Sequence, residues 1–238
     1  MAIKAGIQFE LSTLAYAIII IQSIFFAYVG NVFSLLGMQS APNPGYSLMI
    51  SKSYVVLTAV ASIFLFDAPL PLKSVVAILF ILGFSALIMI DPSKKNSESG
   101  RLWLLYSIGT FFCWGLLALS TKYLLDMGVP ILARLIYSML IASALILGEM
   151  SWKKVSVTGL NKEQLAVLLG LGIFGAGFTY FMQLAYTTAP NVGFVNATNA
   201  ASISLLTLLS AYFFKDDLST KKLIGIIGVT LGLVGLFL

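Results

Sequence analysis

Long apolar runs recur along nearly the whole chain, and each is long enough to cross a lipid bilayer. A helix needs about 20 apolar residues to cross about 30 Å of hydrocarbon. Only 10% of the 238 residues are charged and 59% are hydrophobic, whereas a soluble domain keeps about a quarter of its residues charged. The sequence therefore predicts an all-α membrane protein with about eight transmembrane helices. The predicted spans are 11–39, 45–66, 72–90, 102–125, 129–148, 164–188, 193–214 and 222–238.

A hexapeptide occurs twice, as Ala-Pro-Asn-Pro-Gly-Tyr at 41–46 and Ala-Pro-Asn-Val-Gly-Phe at 189–194. The match continues at the same offset, with Leu57 on Leu205, Phe66 on Phe214 and Lys73 on Lys221. Five predicted spans lie between the copies, and an odd number inserts the copies in opposite directions. Such inverted repeats are typical of secondary transporters. We predict a three-span half-repeat over 1–92 and a five-span repeat over 101–238.

The sequence lacks the residues that several functional classes require. There is no histidine and only one cysteine, Cys113, which removes the commonest general base and metal ligand. No nucleophile with a base, paired carboxylates or phosphate-binding loop is found, so we predict no enzyme activity, no cofactor and no metal. The net charge of +5 comes largely from lysines in short loops, where the positive-inside bias explains them without nucleic-acid binding.

Lys52 is the most unusual single residue, because it lies about two turns into the second predicted span. An ammonium group inside the hydrocarbon costs a few kcal/mol, and such groups usually face a cavity. The alternative is that its long side chain reaches the nearer interface. Its counterpart in the second repeat is Ala200, so the repeat itself does not require a lysine here.

The repeated hexapeptide offers further substrate-binding candidates, Asn43, Tyr46 and Asn191. Proline and glycine suit a sharp turn between helices, and that turn is the simpler interpretation. The functional interpretation is that Asn43 and Asn191, with the free amides at the next helix start, face an anionic or polar group.

Polar and aromatic side chains inside other spans complete the candidate substrate site. Asn196, Asn199 and Ser202 are spaced by three and form one polar stripe, although buried amides also join helices. Tyr180 and Gln183 share a face of the sixth span, and Trp114 could stack on a substrate or fill the core. The candidates are thus Asn43, Tyr46, Lys52, Trp114, Tyr180, Gln183, Asn191, Asn196, Asn199 and Ser202.

The nine acidic residues fall at span ends or in loops. A proton-coupled exporter of organic cations generally needs a buried acid, so this mechanism is disfavoured. We expect a small polar or anionic solute, moved across the cell membrane by alternating access. The alternative is a non-transporting membrane subunit that completes its cavity with a partner chain, for example as a homodimer.

The second half contains Trp114-Gly115, then Lys122, Pro130 and Arg134 around a turn, the Ala-Pro-Asn stretch, and a glycine-rich last span with Gly225, Gly228, Gly232 and Gly235. In these residues it resembles the EamA-type members of the drug/metabolite transporter superfamily. It implies a transporter of metabolites built from two five-helix repeats. The first half matches only the last three helices of that repeat, so the resemblance also implies that two helices are lacking. It implies cytoplasmic termini, whereas the lysine count favours termini outside.

Overall fold

The computed structural model describes residues 10–90, 101–155, 159, 161–215 and 218–238. Eight helical stretches within these ranges are long and apolar enough to cross a membrane, which confirms the predicted all-α membrane fold. No strand occurs in the same ranges. The helices are α1 Thr13–Ile21, α2 Val29–Ser40, α3 Pro44–Lys52, α4 Tyr54–Phe66, α5 Leu72–Met89, α6 Leu102–Asp126, α7 Ile131–Trp152, α8 Lys162–Thr188, α9 Val192–Phe214 and α10 Thr220–Phe237.

The first span is not a regular α-helix. A π-helical segment, Gln22–Tyr28, separates α1 from α2. Gly30, in α2, has a packing role, because a Cβ added there would lie 2.8 Å from the Cβ of Cys113. The irregular winding therefore lies at the polar pair Gln22 and Ser23, both of which are buried.

The repeated hexapeptide forms the same helix start twice. Asn43 precedes α3 and Asn191 precedes α9, and both have extended backbone angles. In each copy the asparagine side-chain oxygen accepts a hydrogen bond of 2.8 Å from the backbone N–H of the glycine two residues later. An N-cap of this kind satisfies a donor that the first turn of a helix leaves free. Gly193 is required at its position, because an added Cβ would overlap Ala59 of α4.

The contacts divide the chain into two compact units. Unit 1 comprises Met1–Tyr28 and Ser120–Thr188, and unit 2 comprises Val29–Leu119 and Ala189–Leu238. Both units therefore draw on segments that are distant in the sequence.

Unit 2 is built around a close contact between α5 and α10. A Cβ added at Gly225 would meet Ile88, one at Gly228 would overlap Phe84, and one at Gly232 would lie 2.8 Å from Ile81. Small residues in membrane helices allow such close approach, which gains dispersion energy and not hydrophobic burial. The glycines of the last span thus have a packing role at these three positions. Helices α4 and α9 complete this core.

Unit 1 has a smaller apolar core. The buried residues of this core cluster are Ala15, Ile19, Leu124 and Val129. The last helix of the unit, α8, contributes little to it: the most apolar 18-residue window of α8 is 0% buried within the chain. Most of α8 is thus available to lipid or to another chain.

Candidate functional site

The second span is interrupted at Ser53. Helix α3 ends at Lys52 and α4 begins at Tyr54. The Ser53 hydroxyl donates to the carbonyl of Met49 over 2.8 Å, a local bond by which serine competes with regular helix geometry. The equivalent span of the second repeat, α9, is continuous. The interruption, which the sequence did not predict, therefore distinguishes the copy that carries Lys52.

Lys52 lies beside an aromatic ring. Its Nζ is 5.5 Å from the ring centroid of Trp114, within the range of a cation–π interaction. The Trp114 Nε1–H donates to Oδ1 of Asn31 over 3.3 Å, which fixes the indole between α2 and α3. Within the described residues the ion pairs are Lys122–Asp126 and Lys153–Glu149. Lys52 thus has an aromatic neighbour and no carboxylate among the described side chains.

A buried hydrogen-bond network continues from this pair to α9. The ring of Tyr54 packs edge-on against Trp114, with 6.0 Å between centroids. The Tyr54 hydroxyl donates to Oδ1 of Asn196 over 3.5 Å, and the side chain of Asn199, three residues later on α9, lies near it. Nδ2 of Asn196 in turn donates to Oγ1 of Thr58 over 2.9 Å. Asn196 and Thr58 are both fully buried, so the network joins α4 to α9 inside the bundle.

This arrangement brings four of the predicted site residues together, namely Lys52, Trp114, Asn196 and Asn199. It combines one cation, an aromatic face and amide groups, which can bind and orient a small anionic or polar molecule. Within the described residues there is no group of three or more side chains that could hold a metal ion.

The other candidates in unit 2 lie outside this network. Ser202 is exposed, and its hydroxyl donates to the carbonyl of Asn199 on its own helix. Tyr46 is 41% exposed. Asn43 and Asn191 are buried N-caps, and Nδ2 of Asn191 also donates to the carbonyls of Ala59 and Pro69. Their roles in substrate binding stay predictions.

The two candidates on α8 belong to unit 1. Tyr180 is partly buried and packs edge-on against Phe181. Gln183 is only 2% exposed, and neither of its amide atoms has a hydrogen-bond partner. Gln183 is therefore buried, as the side chain of a solute-binding residue inside the protein would be, and its role in substrate binding stays a prediction.

Three members of the network, Asn31, Tyr54 and Thr58, were not predicted as site residues. Tyr54 and Thr58 are four residues apart and so share one face of α4. This spacing could have indicated a polar stripe facing the one on α9. Asn31 interrupts an apolar span, but nothing in the sequence indicates that it contacts Trp114.

The eight spans and the buried polar network define an α-helical, multi-pass membrane protein with polar groups inside its bundle. Residues 101–238 match the profile of the EamA-like transporter family, and the chain therefore belongs to that family. It is also similar to a chain of known crystal structure, with a TM-score of 0.79 and 18% identity, over 98% of this chain and 79% of the other. At that identity the similarity shows the fold alone. No curated protein matches the sequence.

Proposed function

We propose that the protein moves a small polar or anionic solute across a membrane by alternating access, with Lys52 in the solute path. The observation that carries the proposal is the position of Lys52 inside the membrane span Pro44–Phe66, beside Trp114 and without a carboxylate partner among the described residues. An ammonium inside a bundle is costly unless a partner or solute stabilises it.

The charges around the spans favour an anionic or polar solute over a cation. The described carboxylates of Asp126 and Glu149 lie near helix ends and are each paired with a lysine on the same helix. An exporter of organic cations would need an acid near the middle of a span. Asp91, Glu98, Asp216 and Asp217, also expected in loops, lie outside the described residues.

The repeat supplies a basis for alternating access. Five candidate spans separate the two hexapeptides, and an odd number gives the two copies opposite orientations in the membrane. Transporters with inverted repeats expose a central site to either side by exchanging the conformations of the two halves. We further propose that the protein acts in the plasma membrane, or the inner membrane of a bacterium.

A second candidate function is that of a membrane subunit that needs a partner chain. The exposure of α8 favours it, since none of its most apolar window is buried within the chain. Mass measurement of the detergent-solubilised protein distinguishes a monomer from a homodimer or larger assembly. A monomer that transports solute would exclude this alternative.

Uptake into proteoliposomes tests the transport proposal. Vesicles containing the full chain are assayed with radiolabelled carboxylates, phosphate esters and amino acids, and with an organic cation for comparison. We expect uptake of a polar or anionic solute, reduced about tenfold or more in Lys52→Ala, since the loss of one charge-assisted contact is worth about 1.5–3 kcal/mol. Lys73→Gln, which removes an exposed lysine, is the matched control. Wild-type vesicles that move none of these solutes, or full activity in Lys52→Ala, would contradict the proposal.

A further inference from the structure

Unit 1 contains a buried cation that the mechanism above does not use. Arg134, in the first turn of α7, is only 4% exposed. Its Nη2 donates to Oγ1 of Thr121 over 2.6 Å, but its Nε has no hydrogen-bond partner. A guanidinium remains charged in proteins and carries five N–H donors. Most of this hydrogen-bonding capacity is therefore not accounted for by the contact with Thr121.

The acidic residues of unit 1 do not neutralise Arg134. Asp126 pairs with Lys122, and Glu149 pairs with Lys153 and accepts a hydrogen bond from Tyr28. Glu10 and Glu163 are exposed. The phenol of Tyr186 on α8 lies close enough to interact electrostatically with Arg134 and is itself only 4% exposed. A buried charge without a counter-ion is among the most costly arrangements in a protein.

Two other side chains of α7 and α8 also have buried polar atoms without a partner. Gln183 lies three residues before Tyr186 and hence on the same face of α8, and both of its amide atoms are buried without a partner. Ser138, one turn along α7 from Arg134, also has a buried hydroxyl without a partner. Because α7 and α8 are consecutive spans running in opposite directions, one turn forward on α7 corresponds to one turn back on α8. Ser138 and Gln183 therefore lie at the same level of the helix pair.

We propose that Arg134, Gln183 and Ser138 form a binding site for the oxyanion group of a small solute. Arginine binds carboxylates and phosphates through two parallel N–H···O bonds, and Nε is one of the two donors in the usual geometry. The Gln183 amide can donate to the same anion, while its oxygen can accept from a hydroxyl or amine of the solute. One ligand would thus satisfy every unpartnered atom of these three side chains.

A purely structural role for Arg134 explains fewer of these observations than a binding role does. Joining α6 to α7 requires only the bond to Thr121, which a neutral side chain could provide without burying a charge. It also gives no reason for the two unpartnered atoms of Gln183. The adjacent π-helical segment adds a further observation: Nε2 of Gln22 is buried without a partner, while its oxygen accepts from Ser120. Segments of π-helix inside α-helices frequently occur at functional sites.

The site is tested by thermal unfolding of the full chain in detergent, a measurement that does not depend on transport or on Lys52. Titrations with inorganic phosphate and with succinate are made at constant ionic strength against sodium chloride. We expect Tm to rise with the concentration of at least one anion, since a ligand that binds only the folded state stabilises it. A response to phosphate alone identifies a phosphate-bearing solute, and a response to succinate alone identifies a carboxylate.

Three variants separate this site from a general ion effect. Arg134→Lys keeps the charge but loses the two-donor geometry, and we expect its apparent affinity to fall at least tenfold. Gln183→Leu should weaken the response without removing a contact on which the fold depends. Lys162→Gln, which removes an exposed cation of the same unit, should respond like the wild type.

Gln183→Glu provides the sharpest variant. A carboxylate at this position would act as a built-in counter-ion for Arg134, so the ligand-free protein should unfold at a higher temperature and no longer respond to either anion. The proposal is overturned if neither anion raises the Tm of the wild type. It is equally overturned if Arg134→Lys and Gln183→Leu both keep the wild-type response.

Discussion

The two compact units differ in whether their buried polar side chains have hydrogen-bond partners. In unit 2 the buried amides of Asn191 and Asn196 are hydrogen-bonded to partners on neighbouring helices. In the described part of unit 1, by contrast, Gln183 and Arg134 keep buried atoms without partners. The unpartnered buried atoms described for unit 2 belong only to serine hydroxyls, those of Ser51, Ser85 and Ser204. The hydrogen-bonded amides of unit 2 thus contribute to folding, whereas the unpartnered groups of Gln183 and Arg134 in unit 1 are costly to the fold unless a ligand binds them.

The units also differ in how closely their helices approach. Unit 2 has glycines against which neighbouring helices pack, among them Gly193, Gly228 and Gly232. In unit 1 the glycines of α8, such as Gly170 and Gly175, have nothing within 4 Å of an added Cβ. Unit 2 should therefore tolerate little change in side-chain volume, and α8 should tolerate much more.

The largest expected effect concerns this difference in packing. Gly193→Val would force a side chain into the backbone of Ala59, and overpacking of this kind should destabilise the protein by about 3 kcal/mol. Gly175→Ala, at an open position of α8, should be neutral or stabilise by up to about 1 kcal/mol, as Gly→Ala does in helices. Unfolding in detergent monitored by circular dichroism compares the two. Equal tolerance at both positions would contradict the contrast in packing.

An intermediate effect is expected from removing buried amides. Asn196→Ala leaves Thr58 without a side-chain donor and removes the Oδ1 that Tyr54 contacts, so it should cost about 1–2 kcal/mol. Gln183→Leu removes no hydrogen bond and should leave the stability of the ligand-free protein unchanged or raised. The same unfolding measurement checks both variants. A loss for Gln183→Leu as large as that for Asn196→Ala would show that Gln183 has a structural partner.

The smallest effect is expected at the surface of unit 1. Lys122 and Asp126 form an i,i+4 ion pair of 2.7 Å, in which the Lys122 side chain is 16% and the Asp126 side chain 44% exposed. Such pairs contribute about 0.3–0.5 kcal/mol, so Asp126→Asn, at the more exposed partner, should lower the stability by no more than this, and less at high salt. The unfolding measurement is repeated in low and in high sodium chloride. A larger, salt-independent loss would show that this pair does not act as a surface ion pair.

The fold could be predicted from the sequence because each membrane span is a long apolar stretch. Each span is a run of about 20 apolar residues, and the predicted limits agree with the helices to within about four residues, as for α7. The hexapeptide turns were also predictable, since proline, asparagine and glycine act locally. The π-helical segment and the interruption at Ser53 were not. The π-helical segment is bonded to another helix through Ser120 and Gln22, whereas the bond of Ser53 is local, and neither feature leaves a periodic pattern.

The candidate site was predictable only in part for the same reason. Lys52 and Asn196 stand out because they are polar within apolar spans. Their relation through Trp114 and Tyr54 depends on which faces α3, α4, α6 and α9 turn toward one another, and low polarity on every side of a membrane helix hides its contact face. Arg134 was noticed as part of a family pattern, but its lack of a counter-ion becomes visible only when the surrounding side chains are placed.

The interruption at Ser53 has a mechanical consequence. Its backbone angles, φ −63° and ψ −7°, differ from those of a regular α-helix by a rotation of about 35° in ψ alone. The backbone of Ser53 can therefore pass between these two conformations without leaving the allowed region. Helix α4 is anchored to α9 through Thr58 and Asn196, so a rotation at Ser53 would reorient α3 relative to α4. Lys52 is the last residue of α3 and adjoins Ser53, so a small backbone rotation there would redirect its side chain relative to Trp114.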